Sequence, residues 1–285
     1  MRIKTLLILI PAVVLALASC RKHSPEIPKI PINIATSVTK ITDTAFEAND
    51  AVGLYVVNTP SALKQSGNHA DNVKFTSNGE KWVTSNQLYW YDDKTPADFY
   101  TYYPYKASAS VSAMSFSVQQ DQSSESGYKA SEFLYGSKKS VAPTAEPVLI
   151  NTRHLMSCIR VELKAGTGWT DSDIAAASVS ISGLQTAAKL NLSDGSISAA
   201  GNVADIQPLS FGGGVYKALV VPQTVTDSEL IRVKVGGNDY ALKTSVTLVA
   251  GKQHKCSIVV NRTSEGINIG IDPWEDGDEF GGTVE

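Results

Sequence analysis

Short alternating runs of apolar and polar residues dominate the chain from residue 32 onward, and turn residues separate them. The runs are rich in Val, Ile, Thr, Tyr and Ser, and most of these residue types fit a pleated, half-buried strand. Because successive side chains of a strand point to opposite faces, a β-sandwich or barrel produces this pattern. Helix signals are few, and Thr170-Asp171-Ser172-Asp173 predicts the start of one short helix. The sequence therefore predicts an all-β fold.

Four pairs of alternating runs flank turn residues and are interpreted as β-hairpins. Asn78-Gly79, between residues 73–76 and 81–83, favours a two-residue turn that sets Phe75 opposite Trp82. The other three predicted turns contain Asp194-Gly195, residues 236–239 and Ala250-Gly251-Lys252. The regular recurrence of these hairpins supports the all-β prediction.

The first 31 residues have the layout of an export signal followed by a tether. A basic start precedes an apolar run at residues 6–17, and small residues precede Cys20, as in a secretory signal peptide. The run is shorter than the roughly 20 residues of a membrane-spanning helix. Three prolines, each three residues from the next, keep residues 21–31 extended. We therefore expect a signal peptide at residues 1–19 and a tether at residues 20–31.

A polar, proline-containing stretch at residues 137–147 is interpreted as a link between two domains. It separates a first half rich in aromatic residues from a second half rich in Val and Ile. The remaining length suits one large domain or two modest ones. We expect a first β-sandwich domain at residues 32–147 and a second at residues 148–285.

Charge and motifs argue against several classes of function. The formal net charge is −3 and the chain has no basic cluster, which disfavours nucleic acid as a partner. The sequence lacks a zinc-protease helix motif, a phosphate-binding loop and a nucleophile elbow, so we predict no enzymatic activity and no cofactor. His154 is expected to make a hydrogen bond at the edge of the core. The acidic residues near the C-terminus lack the spacing of a calcium loop and predict a solvated tail, with no metal site: Asp272, Glu275, Asp276, Asp278 and Glu279.

Two cysteines follow Cys20 in the chain, and an exported protein can join such a pair in a disulfide. Alternation places Cys158 on the face of Arg160, opposite the apolar side chain of Ile159. It places Cys256 on the same, inward face as the apolar residues that follow it. The pattern favours two small thiols over a disulfide and leaves their pairing open.

Aromatic residues are concentrated between Tyr89 and Tyr105. On an exposed face such side chains can stack on sugars, which would make the protein a glycan-binding surface lipoprotein. Alternation turns half of them inward, however, and the simpler interpretation assigns four to the core: Trp82, Trp90, Phe99 and Tyr103.

Five segments in order resemble the fimbrillin family, the type V pilins of Bacteroidota. They are Leu17-Ala18-Ser19-Cys20, which resembles a lipobox, residues 40–55, Tyr89-Trp90, residues 99–104 and Pro273-Trp274. The lipobox implies lipidation, such as palmitate, on the Cys20 thiol and attachment to the outer membrane. The family implies two tandem transthyretin-like β-sandwich domains and a structural or adhesive subunit of cell-surface fimbriae. The implied partners are other fimbrial subunits, the membrane and a receptor on a host or bacterial surface.

In polymerising members of this family, a protease that cuts after Arg or Lys removes the first strand, and a strand of the next subunit replaces it. Arginine is absent between Arg21 and Arg153, so Lys40 is the candidate cleavage site, although it can equally be an ordinary surface lysine. Without cleavage, the protein would be an anchor, tip or accessory subunit. The candidate displaced strand carries Ile30, Ile32, Ile34 and Val38.

The resemblance also suggests where a donor strand would lie. The tail after Trp274 has few apolar residues, so the alternating residues before it are the better candidate: Ile267, Ile269 and Ile271. Asp43-Thr44-Ala45 resembles an O-glycosylation site of this bacterial group, but a three-residue match is weak and we do not expect Thr44 to be modified.

Overall fold

The computed structural model describes residues 29–37, 46–262 and 269–271, which form seventeen strands and two short helices. This composition confirms the predicted all-β class. The strands are β1 (Ile34–Ser37), β2 (Ala51–Asn58), β3 (Ala70–Ser77), β4 (Trp82–Val83), β5 (Ala97–Tyr103), β6 (Met114–Ser117), β7 (Leu134–Val141), β8 (Val148–His154), β9 (Ser157–Ala165), β10 (Ser178–Asn191), β11 (Ser196–Ile206), β12 (Leu209–Gly212), β13 (Val215–Val220), β14 (Gln223–Val235), β15 (Asn238–Leu248), β16 (Gln253–Val260) and β17 (Ile269–Ile271). The helices are α1 (Glu125–Ala130) and α2 (Asp171–Ala175).

A seven-stranded sheet contains most of the first half, in the order β1-β8-β7-β5-β2-β3-β4. Strand β1 pairs with β8 in parallel, and the other neighbours pair in antiparallel. The central strand β2 buries six consecutive residues, because both faces of this sheet are covered. Val52 and Leu54 belong to one apolar core, while Tyr55 and Val57 belong to another.

Two five-stranded sheets follow, and they share a core with one face of the first sheet. Their orders are β11-β10-β14-β15, with β6 beside β10, and β12-β13-β9-β16-β17. Ile159 of β9, Ile181 of β10 and Leu230 of β14 are fully buried in the same cluster as Tyr55 and Tyr102. The two halves of the chain are therefore joined by continuous apolar packing.

The chain changes sheets at positions other than residue 148. Strand β8 is hydrogen-bonded to β1 and β7, and it buries Val148 and Ile150 in the core of the seven-stranded sheet. In the opposite direction, β6 leaves the first half and pairs with β10. After β8, which ends at His154, the chain leaves the seven-stranded sheet. The expected division between residues 147 and 148 therefore falls one strand earlier.

The predicted pairing of Phe75 with Trp82 is wrong, because the turn between β3 and β4 is longer than two residues. Trp82 lies opposite Ser77. The Asn78 side chain accepts hydrogen bonds from the backbone N–H groups of Glu80 and Lys81, at 3.1 and 2.9 Å. This side chain builds a four-residue turn in place of the predicted one.

Two of the other predicted hairpins are confirmed and one is wrong. Asn191 lies opposite Ser196, so the hairpin at Asp194-Gly195 is present, but its turn also has four residues and not two. Gly236-Gly237 forms a two-residue turn in which both glycines have positive φ. The residues around Gly251 do not close a hairpin, because β15 and β16 belong to different sheets. Strand β16 instead runs parallel to β9.

Both helices are defined by their N-caps. Thr170 forms the capping box that starts α2, as the sequence predicts. Helix α1 begins after Ser124, whose hydroxyl accepts a hydrogen bond from the N–H of Gly127. Burial of Tyr128 holds α1 against the core of the second half.

A side chain of the first half completes the edge of β13. The Gln122 amide is fully buried and donates to the carbonyl of Leu219 at 2.8 Å, while its oxygen accepts from the N–H of Leu219 at 2.9 Å. Strand β12 pairs with β13 only as far as Lys217. Beyond that residue, the Gln122 amide takes the position of a neighbouring strand. It satisfies two backbone groups that the core would otherwise leave unpaired.

Replacing Gln122 by Met tests this contact. The thioether cannot donate to or accept from Leu219, and each unsatisfied buried group costs about 1–3 kcal/mol. We expect Gln122→Met to lower the free energy of unfolding by at least about 2 kcal/mol in urea denaturation. The control is Gln120→Met, since Gln120 is exposed and contributes only its backbone carbonyl. Equal stability of the two variants would contradict this role of Gln122.

Candidate functional site

The edge of the seven-stranded sheet at β1 is the candidate functional site. Strand β1 pairs in parallel with β8 over four residues, from Ile34 opposite Val148 to Ser37 opposite Asn151. The N–H of Val148 also donates to the carbonyl of Asn33 at 2.8 Å. Residues 33–37 therefore lie along β8. We call the extended stretch of residues 30–36 the segment, and the space that it fills the edge groove.

Residues 88–90 form the other side of the edge groove. The N–H of Ile32 donates to the carbonyl of Leu88 at 2.8 Å, and the N–H of Trp90 donates to the carbonyl of Ile30 at 2.9 Å. The segment is thus held by main-chain hydrogen bonds on both sides. Such bonds recognise any extended chain, regardless of its side chains.

Side chains of the segment complete an apolar core. Ile32 is 1% exposed and Ile34 is 4% exposed, and both pack in the cluster that contains Phe99 and Ile150. Ile30 is half-buried against the same cluster. The structure therefore directs these alternating isoleucines toward the core.

Two polar side chains fix the register of the segment. The indole Nε1 of Trp82 donates to the hydroxyl of Thr36 at 2.9 Å, and the Gln87 amide donates to the carbonyl of Ile32 at 3.1 Å. Phe46 packs edge-on against Trp82, with ring centroids 4.9 Å apart. The edge groove can therefore bind one extended strand with apolar residues at alternate positions.

Sequence reasoning missed residues 87–90 as part of this site. The aromatic residues among them were interpreted as core or sugar-stacking groups. Residues 87–90 contribute to the edge groove through backbone atoms and the Gln87 amide. No residue type marks a backbone group for pairing with a segment more than fifty positions away, so the sequence carries no signal for this role.

The candidate donor strand lies at the edge of another sheet. Strand β17 pairs in antiparallel with β16, with Ile271 opposite Ile258 and Ile269 opposite Val260. The remaining sequence candidates lie outside the described residues: Cys20, Val38, Lys40, Thr44 and Ile267.

Both later cysteines are buried thiols, and neither forms a disulfide. Cys158 points away from the side of Ile159, as alternation predicts, but it is not exposed there. Tyr128 of α1 covers it, with the phenol oxygen 3.9 Å from the Cys158 sulfur. Burial raises the pKa of the Cys158 thiol to about 11 and that of the Cys256 thiol to about 12.

The aromatic residues divide between core and surface. Trp90 and Phe99 are buried with ring centroids 5.4 Å apart, and the indole of Trp90 donates to the carbonyl of Thr144 at 3.0 Å. The core interpretation is confirmed for these two residues, while Trp82 and Tyr103 are half-buried. A buried Trp90 cannot present a stacking face to a sugar.

His154, the last residue of β8, makes the hydrogen bond expected of it. Its Nδ1 lies 3.0 Å from a carboxylate oxygen of Glu132, which is almost fully buried. Across the described residues, no group of three or more acidic, His or Cys side chains is arranged to hold a metal ion. Within the same residues, no helix is long and apolar enough to cross a membrane.

Comparison with known proteins gives one family match and one curated relative for this sequence. The profile of the family described as "Fimbrillin-like" matches residues 39–274. A curated relative, "Putative fimbrium subunit Fim1C" of Bacteroides uniformis, is 26% identical over 261 residues, covering 86% of this chain and 84% of the relative.

Two solved structures share the fold. One is a "putative cell adhesion protein" of Bacteroides uniformis, with a TM-score of 0.66, 22% identity and coverage of 86% of this chain and 97% of the other. Another, a "putative cell adhesion protein" of Bacteroides ovatus, has a TM-score of 0.69, 16% identity and coverage of 87% and 98%.

Shortening an isoleucine of the segment tests how much the edge groove depends on it. Ile32→Ala leaves a cavity beside Phe99, and a buried Ile-to-Ala change costs roughly 2–5 kcal/mol. We expect urea denaturation, followed by tryptophan fluorescence, to show a loss in this range. Asn33→Ala, the exposed neighbour, should stay within about 0.5 kcal/mol of the wild type. A similar small effect for both would show that the segment does not stabilise the core.

The buried thiols should resist alkylation. Only the thiolate attacks iodoacetamide, and the raised pKa values of Cys158 and Cys256 keep both thiols protonated at pH 8. We expect peptide mass spectrometry to find both unmodified in the native protein and both alkylated in urea, where the pKa returns to about 8.5. Rapid alkylation of the native protein would contradict their burial.

Proposed function

Since the chain belongs to the fimbrillin-like family, we propose that it is a structural or adhesive subunit of cell-surface fimbriae. The observation that carries the proposal is the burial of Ile32 and Ile34, core residues supplied by an edge segment that ends in the four-residue strand β1. The similarity to a curated fimbrium subunit supports the same role. Such a subunit acts through its surfaces, so we propose no catalytic activity.

We propose that the protein reaches the outer membrane as a lipoprotein. The basic start, the apolar run and the small residues before Cys20 support export and lipidation of that thiol. We also propose two tandem transthyretin-like β-sandwich domains, with β8 as the last strand of the first. The continuous core between the halves would hold them as one subunit.

Assembly would proceed by strand exchange in the edge groove. Cleavage after Lys40 would free residues 30–36 from the rest of the chain and leave the positions of Ile32 and Ile34 for another strand. The isoleucines at 267, 269 and 271 have the same two-residue spacing as those at 30, 32 and 34. A second copy could therefore place the same side chains in the edge groove while backbone bonds to residues 88–90 and β8 hold its chain.

The absence of arginine between Arg21 and Arg153 makes the protease lysine-specific in this proposal. Cleavage after Lys29 would leave the segment attached, whereas cleavage after Lys40 would detach all of it. If neither site is cut, the lipid stays on the chain and the subunit serves as an anchor or tip that binds a host or bacterial surface receptor.

Substitution of Lys40 tests the exchange. In cells that assemble the wild-type protein, we expect surface material to begin at Ile41 and to form an SDS-resistant ladder on unheated gels. Lys40→Gln should abolish the ladder and leave a blocked N-terminus, because the edge groove stays filled. Lys29→Gln, a matched loss of one lysine upstream of the segment, should assemble as the wild type does.

Three outcomes would overturn parts of this proposal. A ladder that persists in Lys40→Gln would remove Lys40 from the mechanism. A wild-type protein that stays monomeric with a blocked N-terminus would overturn strand exchange in favour of the anchor role. A wild-type protein absent from the cell surface would overturn the fimbrial function itself.

A further inference from the structure

An open cleft of about 330 Å³ lies beside the aromatic segment, away from the buried face of the seven-stranded sheet. One wall is the loop that follows β2, and the other is the side chain of Tyr91. The residues that matter to its chemistry are Asn58, Ser61, Lys64, His69 and Tyr91. None of them takes part in the edge groove.

Tyr91 is the most exposed large apolar side chain of the described residues, at 68%. The backbone on both sides of it is nevertheless fixed. The carbonyl of Tyr89 lies 2.7 Å from Nε2 of His69, and Asp92 accepts hydrogen bonds from the N–H groups of Lys94 and Thr95. A ligand that stacks on this ring would therefore meet a surface whose backbone is already ordered, which lowers the entropy cost of binding.

The opposite wall is ordered by a second set of hydrogen bonds. The carboxylate of Asp71 accepts from the N–H groups of Gly67 and Asn68, at 2.8 and 3.2 Å. Asn68 in turn accepts from the N–H of Lys64 at 3.0 Å. The loop thus holds its shape through its own polar contacts.

Several polar groups along the cleft remain available to a ligand. Among the described residues, the Asn58 amide, the Ser61 hydroxyl and the Lys64 ammonium group have no hydrogen-bond partner. The rings of His69 and Tyr91 lie nearly perpendicular to each other, with centroids 6.3 Å apart. The cleft therefore combines one exposed aromatic face with donors and acceptors at short range.

We propose that this cleft binds a saccharide unit, with the apolar face of a pyranose ring stacked on Tyr91 and its hydroxyl groups bonded to Asn58, Ser61 and Lys64. A sugar ring matches the site because it has an apolar C–H face and a rim of hydroxyls. A peptide partner fits poorly, since protein interfaces have apolar cores depleted in lysine. The volume lies at the lower end of the range for small-ligand sites. The inference is independent of cleavage and strand exchange.

The test is saturation-transfer NMR on the intact protein with glucose, galactose, mannose, N-acetylglucosamine and N-acetylneuraminic acid as separate probes. We expect at least one probe to bind the wild type. Tyr91→Ala should weaken the binding of that probe about tenfold or more, because the substitution removes the stacking face. Tyr91→Phe keeps the ring and should bind within about threefold of the wild type.

Phe211→Ala is the matched control, since Phe211 is also an exposed aromatic residue, at 55%, but lies on β12 in another sheet. It should bind as the wild type does, and circular dichroism should show that all variants remain folded. Failure of every probe to bind the wild type would overturn the proposal. So would unchanged binding by Tyr91→Ala, or equal losses in the Tyr91 and Phe211 variants.

Discussion

Burial on both faces of the seven-stranded sheet is the constraint on which the rest of the structure depends. Strand β2 hides six consecutive residues, so its two faces need separate covers. The face of Tyr55 is covered by the core shared with the five-stranded sheets. The face of Leu54 is closed in part by Ile32, which lies just before the short edge strand β1, and by Ile34, which begins it. Each large apolar side chain buried there contributes about 1.5–3 kcal/mol, so this cover is an energetic requirement.

This requirement bears on the proposed assembly. A four-residue edge strand is among the elements that a sheet releases most easily, because it has backbone partners over a short length. Its loss would expose both an apolar face and the unpaired backbone of β8, which is a template for another strand. An empty edge groove is therefore costly, so the proposed exchange would have to fill it with another strand as the segment leaves.

Local patterns predicted the elements, while contacts between distant residues decided what they pack against. The alternation of Ile32 and Ile34 matches their burial on one face, and the capping residues at Thr170 correctly predicted the start of α2. The same alternation placed Cys158 on the face opposite Ile159, but only the tertiary structure brings Tyr128 over it. The turn residues around Gly251 resemble a hairpin, yet β16 pairs with β9, nearly a hundred residues away. Periodicity reports which side of a strand is apolar, whereas the identity of the neighbour is set by long-range packing.

Residues 88–90 connect the edge groove to the cleft at Tyr91. Their backbone holds the segment through Ile30 and Ile32, and the next residue, Tyr91, faces solvent. A strand that replaced the segment would have to present a carbonyl where Ile30 does now, since the buried Trp90 needs that acceptor for its N–H. With this bond restored, the backbone before Tyr91 would keep its present position. Strand replacement in the edge groove is therefore compatible with a ligand site at Tyr91, because the two use opposite sides of the same short stretch of chain.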